Sequence, residues 1–149
     1  MSSRGKREND RAGHKQFSVR VAGSIFEQLE RRRFESAQSR NALTERYIAE
    51  GVRLDEHPEI YFRDGALGRR AALIGTRLDV WQVIDTLQSS GNSVADVADY
   101  LGLPNGRVRA AVRYYAAFRD ELDELAAREH AVAERAEDAW RAEQELLAS

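Results

Sequence analysis

Apolar and polar residues alternate without interruption through Gln16-Phe17-Ser18-Val19-Arg20-Val21. A period of two predicts a half-buried strand, with Phe17, Val19 and Val21 on one face and Gln16, Ser18 and Arg20 on the other. An isolated strand is marginal in water. No second strand pattern follows closely, so the simplest way to satisfy this one is to pair it with the same segment of a second chain; the alternative is a strand at the edge of a sheet. The pattern then changes to helical spacing. Ser24 is expected to cap a first helix, with Glu27 completing a capping box, and Ile25, Phe26, Leu29, Phe34 and Ala37 recur along it. Ser39 is expected to cap a second helix from about Arg40 to Leu54, whose apolar face is Leu43, Tyr47, Ile48 and Val52, with Ala42 and Ala49 nearby.

Beyond Pro58 the apolar pieces shorten. Ile60-Tyr61-Phe62 and Ala71-Ala72-Leu73-Ile74 flank the turn signal Asp64-Gly65, so one or two short strands, or a small hairpin, are expected in residues 59–79. Val80 to Leu87 reads as a helix. Ser93 is expected to cap another, bearing Val94, Val97, Ala98 and Leu101, and Asn105 a third, bearing Val108, Ala111, Val112 and Tyr115. Helix, short turn, helix over residues 93–118 is a helix-turn-helix-like pair. From Phe118 to Ser149 there is no Gly or Pro, and Ala, Glu, Leu and Arg favour helix. Phe118, Leu122, Leu125, Val132, Ala136, Trp140 and Leu147 form a stripe interrupted by Glu129. So weak a face suits either a partner's groove or a solvated helix extending the preceding domain.

The expected architecture is therefore mainly α. A basic disordered arm spans residues 1–14, a strand and two helices 15–56, a helix-turn-helix-like domain with short strands 57–118, and an acidic helical tail 119–149. A strand and two short helices offer little apolar surface, and with no Cys in the chain dimerisation is the remaining way to stabilise them.

Charge sharpens this picture. The whole chain carries only −2, but residues 1–24 carry +4 and residues 118–149 carry −6. The basic end coincides with the strand, whose polar face has side chains that can bond base edges: Gln with adenine, Arg with guanine, Ser with either. The acidic end coincides with the helical stripe. Arg31-Arg32-Arg33 reads first as a solvated face and second as a phosphate contact. No apolar run reaches the ~20 residues of a membrane span, so a cytoplasmic protein is expected. His14, His57 and His130 are scattered without metal-ligand spacing, and Gly65 and Gly68 lack the strand-to-helix phosphate fingerprint. No enzyme, metal or cofactor is expected.

Lys15 to Asp55, a short alternating strand followed by two helices, resembles the ribbon-helix-helix repressors of the Arc, MetJ and CopG type. In that family two strands form an antiparallel ribbon in the major groove of DNA. The resemblance makes Gln16, Ser18 and Arg20 the base-reading residues. It makes Ser39, Arg40 and Asn41, at the start of the second helix, phosphate-binding residues, as free helix-terminal amides suit an anion; Lys15 joins them from the basic arm. A symmetric dimer would read a pseudo-palindromic operator.

Ile74-Gly75-Thr76-Arg77-Leu78-Asp79-Val80-Trp81, followed by Gly91-Asn92-Ser93-Val94, Val108 to Ala111 and Tyr114-Tyr115, resembles a small family of uncharacterised helix-turn-helix-like domains over about His57 to Glu121. It departs from the family where Ala-Leu-Gly-Arg-Arg replaces the usual Gly-x-Pro-x-Ile before Gly75. Such domains occur in antitoxins encoded beside PIN-like ribonuclease toxins. The combination looks like a VapB-type antitoxin, which implies a double-stranded DNA operator and a cognate toxin as partners. The tail residues Phe118, Leu122, Leu125, Val132, Trp140 and Leu147 would then bind the toxin. The alternative is a ribbon-helix-helix regulator without a toxin, whose C-terminal part oligomerises or senses a ligand. Arg107, Arg109 and Arg113 leave a DNA contact by the third helix possible, beside packing on a partner or a second copy.

Overall fold

The computed structural model describes residues 13–149. The chain is mainly helical with one small antiparallel sheet: α1 (Gly23–Ser36), α2 (Arg40–Glu56), β1 (Ile60–Gly65), β2 (Gly68–Leu73), α3 (Val80–Ser89), α4 (Val94–Leu101), α5 (Asn105–Ala117) and α6 (Arg119–Ala148). It divides into two compact units, one ending at Arg46 and the other running from Tyr47 to Ser149, so the boundary falls within α2. Apart from Gly13 and His14, the basic arm expected at 1–14 lies outside the described residues.

The first unit has almost no core. Its α1 contains no buried residue, and Leu43 is the one buried side chain among residues 13–46. Residues 14–22 belong to no helix or strand of the single chain. The start of α1 corrects the expected cap. Ala22, extended at φ −60° and ψ 146°, precedes the helix, and its carbonyl accepts the amides of Ile25 and Phe26. Gly23 is thereby the first helical residue, so Ser24 and Glu27 are two positions too far along to form a capping box. Ser39 does cap α2, its Oγ accepting the Ala42 amide at 3.1 Å.

The second unit holds a continuous core around Tyr114, drawn from Ile60, Leu73, Val83, Val97, Val108 and Leu122 among others. Strands β1 and β2 pair from Ile60 opposite Leu73 to Gly65 opposite Gly68; the turn of this hairpin is Ala66-Leu67, just past the expected Asp64-Gly65, which closes β1. The turn between α4 and α5 is built on Gly102, at φ 67°, a left-handed conformation suited to glycine. The Gly102 amide bonds the Asp99 carbonyl and the Leu103 amide the Ala98 carbonyl, a Schellman closure. Ser93 caps α4 through the Asp96 amide, as expected. Asn105 does not cap α5; Pro104 precedes it at φ −63°, and the Pro104 carbonyl accepts from Arg107 and Val108.

A polar knot lies inside this unit. The register sets Arg63 directly opposite Arg70, a pairing that like charges disfavour. Asp79, 2% exposed, resolves it. Its Oδ1 accepts from Arg63 Nε and Nη2 at 2.9 and 2.6 Å, and its Oδ2 from Arg70 Nη1 at 3.1 Å and Trp81 Nε1 at 3.2 Å. Arg70 also pairs with Glu129 of α6 at 2.6 Å. The acid that breaks the apolar stripe of the tail is therefore the residue that anchors α6 to the hairpin.

Candidate nucleic-acid interface

Gln16, Ser18 and Arg20 are all exposed, as are Lys15, Arg40 and Asn41. The apolar members of the alternating segment are exposed as well: Phe17 at 72%, Val19 at 69% and Val21 at 49%. Among the described residues neither face of this segment is buried, although removing its apolar side chains from water would be favourable.

At the start of α2 the amides of Arg40 and Asn41 have no acceptor within the helix, and Ser39 satisfies the next one. Arg40 ties the start of α2 to the middle of α1. Its Nε donates to Glu30 Oε1 at 2.6 Å, and its guanidinium lies 5.3 Å from the Phe26 ring centroid. The Arg40 hydrogen bond, with a further one from Arg33, holds the Glu30 carboxyl below the usual carboxylate range, while Glu30 raises Arg40. Arg40 is thus oriented, and a phosphate at the helix terminus would share it with Glu30. Among the described residues Lys15, Arg20 and Asn41 have no such tie. His14 stands 4.0 Å from Glu45, both largely exposed, a separation at which an ion pair adds little.

The helix-turn-helix-like pair offers fewer free cations. Arg107 of α5 donates to the Ile74 carbonyl, and Arg113 lies 3.7 Å from Glu59. Among these three arginines only Arg109 is both exposed and without an ion pair among the described residues.

The junction between α5 and α6 is an aromatic cluster. Tyr114 and Phe118 pack at 4.7 Å between centroids, with His57 edge-on to both. Arg53, from the end of α2, sits 3.9 Å above the Phe118 ring and donates to Tyr114 Oη at 2.9 Å and Glu121 Oε2 at 2.7 Å. Burial pushes the Tyr114 hydroxyl above its ordinary pKa, with Arg53 opposing the shift.

Of the six tail residues expected to face a toxin, Leu122 and Leu125 are buried in the second unit and Phe118 is engaged by Tyr114 and Arg53. Val132, Trp140 and Leu147 remain exposed, at 39%, 60% and 73%, and Leu146 joins them at 78%. Every residue from Ala131 onward is exposed, although the helix continues to Ala148.

Comparison with family models, with curated proteins and with solved structures finds no match to this chain. Among the described residues no group of His, Cys, Asp and Glu could hold a metal ion, and no helix is long and apolar enough to cross a membrane.

The Asp79 knot and the Arg53 clamp escaped the sequence reading. The Asp79-x-x-Gln82 spacing was the available signal for the first, since the Asp79 amide donates to Gln82 Oε1 at 2.9 Å.

Proposed function

We propose that the protein is a dimeric repressor that binds double-stranded DNA through a ribbon made from residues 16–21 of two copies. It acts as the antitoxin of a type II toxin–antitoxin pair, restraining a PIN-like ribonuclease by direct contact. The observation that carries this reading is the uncovered state of the first unit. The unit ending at Arg46 is smaller than the ~60 residues at which folding alone is already marginal, and among its described residues, 13–46, one side chain is buried. Phe17, Val19 and Val21, with the half-exposed Ile25 and Phe26 of α1, supply apolar surface for a second copy. Pairing two alternating segments would hide that surface and present Gln16, Ser18 and Arg20 of both copies toward base edges. Lys15, Arg40, Asn41 and the Ser39-capped helix start would hold phosphates and set the register.

The toxin-facing part of the reading rests on residues 131–149. They carry five acids against two arginines and expose Trp140, Leu146 and Leu147. An acidic helix with aromatic and Leu anchors suits the groove of a basic protein. The alternative, a regulator without a toxin, draws support from Phe118, Leu122 and Leu125, which serve the protein's own second unit.

Both parts are tested by expressing the full chain with the neighbouring reading frame. The proposal expects a stoichiometric complex that inhibits the neighbour's ribonuclease activity and shifts duplex DNA from upstream of the pair. Removing residues 131–149 should release the nuclease while leaving the DNA shift. A DNA shift without any captured neighbour would favour the regulator, and no preference for upstream DNA over unrelated duplex would overturn the repressor.

A further inference from the structure

Helix α6 contains the same docking pattern twice, and the fold uses it once. Phe118, Leu122, Leu125 and Glu129 are spaced four, three and four residues apart. Fourteen residues later Val132, Ala136, Ala139 and Glu143 repeat that spacing and that order, apolar positions followed by Glu. The acids between them repeat as well: Asp120, Asp123 and Glu124 are answered by Glu134, Glu137 and Asp138. At ~100° and ~1.5 Å per residue, this interval turns the helix to within ~40° of the same face and carries it ~21 Å further along.

The first occurrence shows what the pattern does. Helix α6 packs on α3 and α5, with Leu122 and Leu125 buried. The carboxylate that ends the pattern is largely withdrawn from water, its side chain 21% exposed, and Arg70 Nη1 compensates it at 2.6 Å. Ala126, on that same face, lies beside Trp81 and Tyr115 of the body. The second occurrence has no such floor. Val132, Ala136, Ala139, Trp140 and Leu147 share one face and are all exposed, and Glu143 sits within ~20° of the centre of that stripe. Glu143 takes part in no ion pair among the described residues. Anything that covers this face also covers Glu143, and a carboxylate taken from water without a cation is strongly unfavourable.

That requirement selects the occupant. A second copy supplies no cation on the stripe: in parallel alignment the two Glu143 carboxylates face each other, and in antiparallel alignment each faces the apolar part of the other stripe. Arg141 lies behind the stripe and is paired with Glu137 and Asp138, and Arg135 lies ~90° from its centre. We infer that residues 132–147 dock on another protein through a groove that repeats the chemistry of this chain's own hairpin: an apolar floor, a recess for Trp140 where the first occurrence has Ala126, and one buried arginine opposite Glu143. Arginine suits that position better than lysine, because its guanidinium is weakly hydrated and forked to match a carboxylate. Glu143 is thus the specificity-determining residue of the partner-facing segment proposed above, the reading on which this inference rests.

Titration of the full chain against the purified product of the neighbouring reading frame, at about 0.1 and about 0.5 M NaCl, tests this. Glu143→Gln should weaken the complex at least tenfold at both, since a buried pair is little screened by salt. Glu145→Gln removes the same charge from the opposite side of the helix and should change the affinity less than about twofold. Trp140→Ala should weaken the complex by about tenfold or more. Urea unfolding of the chain alone checks the precedent: Glu129→Gln should lower the midpoint and Glu143→Gln should leave it unchanged. Equal effects of Glu143→Gln and Glu145→Gln, no effect of Glu143→Gln, or an unmoved midpoint in Glu129→Gln would overturn the inference while leaving the partner-facing reading standing. No complex with the wild-type chain would overturn both. Self-association of the chain alone that is lost in Trp140→Ser would place a second copy on this face and overturn the inference as well.

Discussion

Replacing Asp79 by Ala removes the acceptor that reconciles Arg63 with Arg70 in the hairpin. In the native protein its two oxygens receive four donors between 2.6 and 3.2 Å, and the residue is 2% exposed. Arg63 is part-exposed and can turn to water. Arg70 cannot: its side chain is 7% exposed, and its Nε and Nη2 are already buried without partners. The variant keeps only the Glu129 bridge for a buried guanidinium. Removing one partner of a buried ion pair costs about 3–5 kcal/mol, because the survivor stays desolvated. Against a typical stability of about 5–15 kcal/mol, that is a third or more of the total for many domains. Urea unfolding followed by tryptophan fluorescence, at fixed protein concentration, measures the loss. Since Asp79 and Arg70 act as one unit, Arg70→Met combined with Asp79→Ala should cost less than the sum of the single changes, by roughly 0.5–3 kcal/mol. A loss below about 1 kcal/mol for Asp79→Ala, or strict additivity, would refute the view that this knot holds the hairpin, α3 and α6 together.

Gly65→Ala should also act through Arg70, because the added methyl would sit 2.3 Å from Arg70 Nε; a cost of about 1–3 kcal/mol is expected by urea unfolding. Arg20→Ala should relax operator preference, at about 1–3 kcal/mol for each base pair no longer read. Arg40→Ala should weaken binding to all duplexes alike and flatten the salt dependence in titrations at several ionic strengths. The second unit should lose stability in alkali. Tyr114 ionises at a higher pH when folded than when unfolded, so its contribution is complete below the ordinary value of 10.0 and is lost as pH rises through that value toward the folded one. Urea midpoints from pH 8 to 11, with and without Tyr114→Phe, isolate this effect.

Local signals in the chain were readable where a residue and its partner lie within a turn of each other. Ser39 and Ser93 cap the helices expected of them, and the hairpin turn falls at Ala66-Leu67, directly after the Asp64-Gly65 signal. The caps expected at Ser24 and Asn105 lie two residues and one residue past the real ones. In both cases the carbonyl of the residue before the helix, Ala22 or Pro104, opens it by accepting its first bonded amides. What the pattern could not reveal is built from distant residues. Asp79 gathers Arg63 and Arg70 from the hairpin, and Glu129 reaches Arg70 from well down α6. In sequence Glu129 is only a break in an apolar stripe. The Arg53 clamp likewise joins α2 to the α5–α6 junction across 61 and 68 residues. The alternating segment is the reverse case. Its period is plain in the sequence, but its purpose becomes physical only with a surface to cover Phe17, Val19 and Val21.

Pairing of residues 16–21 between two copies is the claim on which the DNA-binding account stands. The chain has no cysteine, so Ser18→Cys creates a single reporter. Facing residues of an antiparallel ribbon have Cα atoms about 4.5–5.5 Å apart, within disulfide range. Mild oxidation in solution should therefore give a covalent dimer of Ser18→Cys, while Tyr100→Cys, likewise exposed on the second unit, should stay monomeric on a denaturing gel. Contradiction would be a Ser18→Cys protein that links no faster than the Tyr100→Cys control.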